Sequence, residues 1–332
     1  MQQLILAVLL GFLVPLALGP LVIPMLKRLK FGQTERECGP QSHLVKSGTP
    51  TMGGLMILAG LLAGTLTFSM AGMEFVLPAL LMTFAFGLVG FLDDFIKVRR
   101  KRSLGLKAYQ KIIAQLGISF IVALFAYNNP YIGPSVYLPF TGGEWNMGVW
   151  YIPFVMFVVI AEVNAVNLTD GLDGLASGVT LIYALAMALI FSLMSAMANE
   201  LGQVYYSANL GGMAVFCAAV VGACLGFLRF NAYPARVFMG DTGSMALGGA
   251  VSMMAICSRA VLLLPIMGAC FVASAVSVVL QVGSYKLRRK RIFKMAPLHH
   301  HFELKGVPET KIVALYMIVT AVLCLVCLLA YV

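Results

Sequence analysis

The chain has 332 residues, of which 61% are hydrophobic and only 11% are charged. An ordinary soluble protein does not contain this much apolar surface, so the composition predicts an integral membrane protein. The formal net charge of +10 does not indicate a nucleic acid partner, because the basic residues are confined to a few short segments. Membrane lipids are the expected surroundings, and anionic lipids or phosphorylated substrates fit the charge.

Ten apolar segments are candidates to cross a bilayer as helices, which takes about 20 residues each. The first is too long for a cleaved signal peptide, so we expect it to be retained. No internal repeat or linker is visible, so residues 1–332 are predicted to form a single all-α, polytopic membrane domain. The predicted spans are residues 3–26, 51–70, 75–96, 110–128, 150–167, 174–195, 207–228, 243–258, 260–284 and 311–331.

The basic residues are distributed very unevenly between the loops. Of the 23 lysines and arginines, 22 fall in the loops after spans 1, 3, 7 and 9, and only Arg259 falls on the other face. Cytoplasmic loops carry such an excess, so these loops are predicted to be cytoplasmic and both termini to lie outside. The outer segment 129–149 is rich in proline and glycine, which predicts a small hairpin or an interfacial segment.

Charged and polar residues collect at the cytoplasmic ends of the predicted spans. A transporter is expected to place its ionisable residues near the bilayer midplane, so this arrangement disfavours a transporter. A water-facing rim instead favours a reaction between a soluble substrate and a membrane-held substrate. The residues concerned are Asp93, Asp94, Asp170, Asp173, Asp241, His299, His300 and His301.

The five aspartates suggest a hard cation, because Mg²⁺ prefers oxygen ligands and often binds through carboxylates and substrate phosphates. Adjacent histidines on a helix point about 100° apart and cannot all bind one zinc ion, so the histidines are better suited to contacting the substrate. Structural roles stay open for two acids. Asp170 could cap span 6, and Asp241 could be stabilised by the start of span 8. Glu162, inside span 5, is assigned a structural role.

Two further segments have residues suited to a nucleotide. Residues 46–54 place Lys46, hydroxyl groups and glycines at the start of span 2, as in a phosphate cradle, although the order is not that of a Walker A motif. Asn231 and Phe238 could contact a base by amide hydrogen bonds and by stacking.

The ordered set of motifs resembles the polyprenyl-phosphate N-acetylhexosamine-1-phosphate transferases. The motifs are residues 46–54, Asp93–Asp94, residues 164–174, residues 231–243 and residues 297–303. The triple histidine resembles the branch that acts on UDP-N-acetylmuramoyl-pentapeptide (UDP-MurNAc-pentapeptide). The resemblance implies transfer of phospho-MurNAc-pentapeptide to undecaprenyl phosphate, with release of UMP and formation of lipid I in peptidoglycan synthesis.

The resemblance also implies the surroundings of the reaction. It implies a Mg²⁺ cofactor, a homodimer, and ten helices with a bent ninth helix in the bacterial inner (cytoplasmic) membrane. The termini would then be periplasmic and the active site cytoplasmic. A sister enzyme that uses UDP-N-acetylglucosamine is the alternative, and the triple histidine decides against it by resemblance.

Carried over residue by residue, the resemblance assigns roles to individual side chains. It implies that the catalytic residues are Asp93, Asp94, Asp241 and His300, and that Asp241 binds the metal. The substrate-binding residues it implies are Lys46, Thr51, Asn167, Asp170, Gly171, Leu172, Asp173, Asn231, Phe238, His299, His300 and His301.

Two chemical routes are open for such a transfer. In one, an aspartate attacks the diphosphate and forms a covalent intermediate. In the other, the acceptor phosphate attacks directly. A phosphate monoester has a second pKa of about 6, so the acceptor is mostly a dianion at neutral pH and needs little help from a base. We therefore expect direct attack, with Asp93 orienting the acceptor and Asp94 helping to hold the metal or the diphosphate.

Overall fold

A computed structural model describes residues 1–28, 48–69, 72–100 and 105–331. The described chain is mostly helical, with one small antiparallel hairpin. The helices are α1 (Gln2–Arg28), α2 (Gly54–Phe68), α3 (Met73–Arg100), α4 (Ala108–Asn128), α5 (Tyr151–Thr169), α6 (Leu175–Glu200), α7 (Val204–Asn231), α8 (Gly240–Cys257), α9 (Leu264–Met267), α10 (Ala269–Arg288), α11 (Leu298–Glu303) and α12 (Glu309–Leu328).

Eight helices in the described ranges are long and apolar enough to cross a membrane, namely α1, α3, α4, α5, α6, α7, α10 and α12. The chain is therefore a multi-pass membrane protein. Two of the ten predicted spans correspond to shorter or less apolar helices. α2 has 15 residues, and α8 has 18 residues that include Asp241 and several glycines and serines.

Burial explains why α8 does not need an apolar sequence. Every residue from Thr242 to Cys257 is buried, and the helix packs against α3 and α5. A helix that is surrounded by protein exposes no surface to lipid. Glycine and serine are therefore tolerated in it where close packing requires small residues. The span predicted at residues 243–258 corresponds to most of this helix.

The predicted ninth span, residues 260–284, is not one continuous helix. A 3₁₀ turn, Val261–Leu263, leads into the short α9, and α10 begins after Gly268. A Cβ atom at Gly268 would lie 2.9 Å from the Leu264 carbonyl oxygen, so the break needs a glycine. The span predicted at residues 260–284 is therefore interrupted at Gly268, a position that hydropathy does not mark, and α10 continues past its predicted end to Arg288.

The outer segment between α4 and α5 contains the hairpin predicted from its prolines and glycines. Strand β1 (Ser135–Tyr137) pairs antiparallel with β2 (Glu144–Asn146), with Val136 opposite Trp145. A single 3₁₀ turn, Gly148–Trp150, then leads directly into α5.

Helix α7 lies at the centre of one half of the molecule, packed against α1, α2 and α6. Glycines allow α1 and α7 to approach closely. A Cβ atom at Gly222 would collide with the Val8 carbonyl oxygen and lie 2.9 Å from the Phe12 nitrogen, and one at Gly226 would collide with the Phe12 carbonyl oxygen. Small residues are typical of helix contacts in membranes, because there the association depends on close van der Waals packing.

The helices place the two ends of the described chain on one face. At the C-terminal end, the Tyr137 hydroxyl of the hairpin donates to the Ala330 carbonyl, 3.2 Å away. Met1 lines a cavity of about 620 Å³ together with Asn199, at the end of α6. The predicted catalytic aspartates lie at the opposite ends of the helices, as described below. The side of the membrane on which each face lies stays a prediction.

We predict that Gly222→Ala lowers the melting temperature of the purified protein in detergent. The added methyl group must push α1 from α7, and overpacking costs about 1–3 kcal/mol. Gly117→Ala is the matched control, because Gly117 is also inside a helix but a Cβ atom there meets nothing within 4 Å. An equal melting temperature for the two variants would contradict the packing role of Gly222.

Candidate active site

Three carboxylates meet where α3 and α8 come together. Asp93 and Asp94 lie in the second half of α3 and are buried, whereas Asp241 lies in the first turn of α8 and is partly exposed. One carboxylate oxygen from each residue lies within 4.8 Å of the other two, which is close enough for all three to hold one metal ion. The structure thus brings together the three acids that sequence analysis assigned to catalysis.

Two lysine side chains contact these carboxylates. The Lys97 ammonium lies 2.6 Å from an Asp93 oxygen and 3.1 Å from an Asp241 oxygen. The Lys111 ammonium lies 2.5 Å from Asp241 and 3.1 Å from Asp93. Each lysine therefore links α3 to α8, and together they offset part of the negative charge.

Sequence analysis counted both lysines only as loop charges. Lys97 follows Asp93 by four residues on the same helix, and this spacing could have indicated the pair. Lys111 lies in the first turn of α4 and is 130 residues from Asp241 along the chain, so no local pattern indicates their contact.

The adjacent acids Asp93 and Asp94 both lie near the Lys97 ammonium, at 2.6 and 3.7 Å, but they accept hydrogen bonds from different backbone groups. Both oxygens of Asp94 accept hydrogen bonds from the start of α8, from the Asp241 nitrogen at 3.2 Å and from the Thr242 nitrogen and hydroxyl at 2.9 and 2.7 Å. Asp93 accepts a bond of 2.7 Å from the Leu106 nitrogen. Asp94 thus fixes α8 to α3, whereas Asp93 is held by Leu106 and the two lysines.

The start of α8 needs a glycine. Gly240 has a φ of +70°, and a Cβ atom there would collide with the Asp94 carboxylate and lie 2.6 Å from the hydroxyl oxygen of Thr51. Thr51 is buried at this junction, so the structure places this predicted substrate-binding residue beside the acids. Lys46, the other residue predicted in this segment, lies outside the described ranges.

Asn167, near the end of α5, also reaches the acids. Its side-chain amide donates to Asp241 over 3.0 Å and to the hydroxyl of Ser244 over 2.8 Å. Asn164, one turn earlier, forms a hydrogen bond with Gln115 of α4 instead. The structure therefore brings Asn167 to the acid cluster, and Asn164 stabilises the contact between α4 and α5.

The loop between α5 and α6 is held by a second set of hydrogen bonds. The Asp173 carboxylate accepts from the Ala235 nitrogen at 2.9 Å, and the Asp173 nitrogen donates to Glu309 at 2.6 Å. The Asn231 side chain accepts from the Gly174 nitrogen at 3.1 Å and donates to the Val237 carbonyl at 3.0 Å. Sequence analysis missed Glu309, which joins the start of α12 to this loop.

Asp170 follows the last residue of α5 and does not cap α6, which begins after Gly174, so the capping role is wrong. Burial, together with the negative charges of Asp241, Asp94 and Asp173, raises the pKa of the Asp170 carboxyl well above its ordinary value. A cation bound nearby would favour the ionised form of this group. A cation that binds at this site would therefore stabilise the charged carboxylates.

The three histidines lie on the short helix α11. The rings of His299 and His300 are 4.3 Å apart between centroids, and both approach Gly171, where a Cβ atom would collide with the His299 ring. The Nδ1 atom of His300 lies 3.1 Å from the carboxylate of Glu303. Gly171 is thus needed for the contact between α11 and the 170–174 loop.

His301 lies apart from the other two histidines. Its ring packs against Phe293, with centroids 5.6 Å apart, and its Nδ1 atom accepts a hydrogen bond of 3.1 Å from the Lys294 nitrogen. Desolvation and the charges of Lys305 and Lys294 lower the pKa of His301, which favours the neutral ring that can accept this bond. The histidines therefore do not converge on one point, as expected for neighbours on a helix.

The two remaining predicted residues, Phe238 and Leu172, differ in their exposure to solvent. The Phe238 nitrogen donates to the Pro50 carbonyl at 2.8 Å, so the segment before α8 is joined to the segment before α2. The Phe238 side chain is partly exposed and accessible to a ligand. Leu172 is buried, so its side chain contributes packing beneath the loop rather than a polar contact.

Comparison with known proteins identifies the family of this chain. Residues 76–259 match the family model for glycosyl transferase family 4, and residues 46–58 match signature 1 of phospho-N-acetylmuramoyl-pentapeptide-transferase. The matched family region contains the three acids and Asn167. The chain therefore belongs to glycosyl transferase family 4.

Full-length relatives define the branch more narrowly. A phospho-N-acetylmuramoyl-pentapeptide-transferase of Clostridioides difficile is 50% identical over 325 residues, covering 97% of this chain and 96% of the relative. Relatives with the same name from Clostridium novyi and a Thermoanaerobacter species are each 48% identical, covering 98% and 97% of this chain and 96% of each relative. The family resemblance found in the motifs is confirmed.

We predict that Gly240→Ala strongly reduces both stability and activity. An alanine at positive φ costs about 1 kcal/mol, and collision with Asp94 and Thr51 adds overpacking of about 1–3 kcal/mol. Thermal unfolding and turnover of the purified variant would measure the two effects.

Gly306→Ala is the matched control for this substitution. Gly306 has a φ of +87°, but a Cβ atom there meets nothing within 4 Å. The control should show the backbone cost alone and keep its activity. If both variants lose the same stability and turnover, close contact at Gly240 is not what the junction requires.

Proposed function

We propose that this protein transfers phospho-MurNAc-pentapeptide from UDP-MurNAc-pentapeptide to undecaprenyl phosphate, forming lipid I and UMP. The observation that carries the proposal is the meeting of Asp93, Asp94 and Asp241 inside a chain that is about half identical, over nearly its full length, to transferases of this name. The same relatives favour this substrate over UDP-N-acetylglucosamine, which the sister enzyme would use.

Mg²⁺ is the proposed cofactor, because the three clustered residues offer only hard carboxylate oxygens, which this ion prefers. Asp241 would hold it, with Asp93 or Asp94 nearby. When bound, the ion supplies positive charge that stabilises the diphosphate and the departing UMP. Lys97 and Lys111 are placed to add further positive charge at the same point.

The positions of the two adjacent acids support separate roles for them. Asp94 already accepts three hydrogen bonds from Asp241 and Thr242, so it fixes the position of Asp241. Asp93 is held by a backbone bond and the two lysines, and these lysines could also contact a phosphate. We therefore assign to Asp93 the orientation of the acceptor, with the lysines offsetting the repulsion between its charge and a dianion.

The proposed step is direct attack of an acceptor phosphate oxygen on the phosphorus that carries the sugar. One new P–O bond forms to that phosphorus, the bond between the two phosphates of the UDP donor breaks, and UMP leaves with the bridging oxygen. Phosphoryl transfer depends mostly on positioning and on charge neutralisation, and the acid and lysine cluster is suited to both.

The proposed substrate-binding surface surrounds this cluster. The 170–174 loop, held by Asn231 and Glu309, lies next to His299 and His300, and Phe238 is accessible for stacking. We assign the nucleotide and the sugar phosphate to this surface. Lys46, in the segment before α2, is proposed to contact a phosphate, and His300 to contact a substrate group near the reacting phosphates.

The proposed topology has ten membrane crossings in the bacterial inner membrane. The acid face would be cytoplasmic, because most basic residues belong to loops on that face. Both ends of the described chain lie on the opposite face, which supports periplasmic termini. A homodimer is proposed from family resemblance alone.

We predict that Asp241→Asn abolishes turnover and leaves the fold intact. The substitution removes a carboxylate charge but keeps the size of the side chain. Purified protein would be mixed with UDP-MurNAc-pentapeptide, undecaprenyl phosphate and Mg²⁺, and UMP and lipid I would be measured. Glu200→Gln, an exposed acid at the end of α6, is the control that should keep its activity. Near-normal turnover of Asp241→Asn at limiting Mg²⁺ would reject the metal role.

Direct attack predicts that UMP release requires the acceptor. Stoichiometric enzyme would be mixed with UDP-MurNAc-pentapeptide and Mg²⁺ but without undecaprenyl phosphate, and UMP would be followed in the first turnover. We expect no burst. A burst equal to the enzyme concentration, with the sugar phosphate trapped on an aspartate, would instead establish a covalent intermediate.

A further inference from the structure

The segment between α4 and α5 exposes apolar side chains and contains little charge. Residues 129–150 contain a single charged residue, Glu144, and both tryptophans of the whole chain. The exposed fractions are 53% for Trp145, 77% for Trp150 and 69% for Val149. A loop that simply lies in water would be expected to present polar side chains instead.

This segment lies at the end of the molecule opposite the active site. The Lys111 end of α4 contacts Asp241, and α4 continues to Asn128, where the segment begins. A helix of this length spans about 30 Å, which is the thickness of the hydrocarbon core of a bilayer. The segment therefore lies at the level where the opposite surface of the membrane is expected.

Polar contacts join the hairpin to the body of the protein. The Glu144 carboxylate pairs with Arg259, 2.5 Å away, and the Tyr137 nitrogen donates to the Arg259 carbonyl over 2.9 Å. Tyr137 also packs its ring against that of Tyr331. The hairpin is thus joined to the turn after α8 and to the end of α12, and its tryptophans are left facing outward.

The exposed surface is continuous with the lipid-facing side of a spanning helix. The 3₁₀ turn that contains Val149 and Trp150 leads directly into α5, where Phe157 is 70% exposed. Tryptophan is enriched at membrane interfaces, because its ring is amphipathic and its N–H group can remain hydrated. A bilayer interface matches all of these features: exposed apolar rings, little charge, and the right level.

We propose that this hairpin lies in the interface of the bilayer on the face opposite the active site, with Trp145 and Trp150 as its lipid anchors. The partner is the headgroup and upper acyl region of the lipids. Through Tyr137 and Arg259 the anchored hairpin would fix the ends of α8 and α12 relative to the membrane surface.

The tryptophan content gives a direct test without labelling. The intact protein would be placed in liposomes whose lipids are brominated either near the glycerol or deep in the acyl chains, and its tryptophan emission would be recorded. Both emitters belong to the hairpin segment, so all quenching reports on it. We expect blue-shifted emission, stronger quenching by the shallow bromines than by the deep ones, and weak quenching by aqueous iodide.

Trp145→Phe and Trp150→Phe separate the two contributions, and retained transferase activity confirms that each variant is folded. Each remaining tryptophan should show the same preference for shallow bromines. Strong iodide quenching without bromolipid quenching would mean that the hairpin lies in water. Protection from both quenchers would mean that protein, such as a second copy of the chain, covers it. Either of these results overturns the proposal.

Discussion

The active site depends on the hydrogen bonds between the Asp94 carboxylate and the first turn of α8. The start of a helix presents unpaired N–H groups and a positive end of the helix dipole, so a carboxylate from another helix is well accommodated there. Because Asp94 accepts from Asp241 and Thr242, the metal-binding candidate is fixed relative to α3. A Cβ atom at Gly90 would collide with the Asp241 carbonyl, which shows how closely the two helices approach.

Charge balance is the second constraint on the site. Asp93, Asp94 and Asp241 lie close together, and Lys97 and Lys111 supply fewer positive charges than the acids supply negative ones. The pKa of Asp170 is raised first by burial and then by the negative charges of Asp241, Asp94 and Asp173. An added cation would relieve this excess, and a diphosphate could then approach a surface that would otherwise repel it. Binding of a cation to these acids would therefore favour binding of a diphosphate beside them.

Much of the fold was predictable, because a helix that crosses the bilayer needs a long apolar sequence. Helices α1, α3–α7, α10 and α12 are therefore evident from hydropathy, although most of α7 is buried in protein. The predicted span 243–258 corresponds to α8, but hydropathy indicated neither the interruption of the ninth span nor which helices pack against protein. α8 is surrounded by other helices and contains many small residues, and the predicted ninth span breaks at Gly268. The hydropathy of a segment does not indicate which other helices pack against it.

The sequence by itself determined the class of protein, and it predicted that the acids collect on one face and which residues are candidates for the site, because hydropathy, charge and motif order are local properties. Only the tertiary structure decided how these residues are used. It showed that Lys111 contacts Asp241 and that Glu309 contacts Asp173. It also showed that Asp93 and Asp94 accept hydrogen bonds from different groups. His301 lies apart from His299 and His300. Such contacts depend on where helices meet, and the partners lie up to about 150 residues apart in the chain.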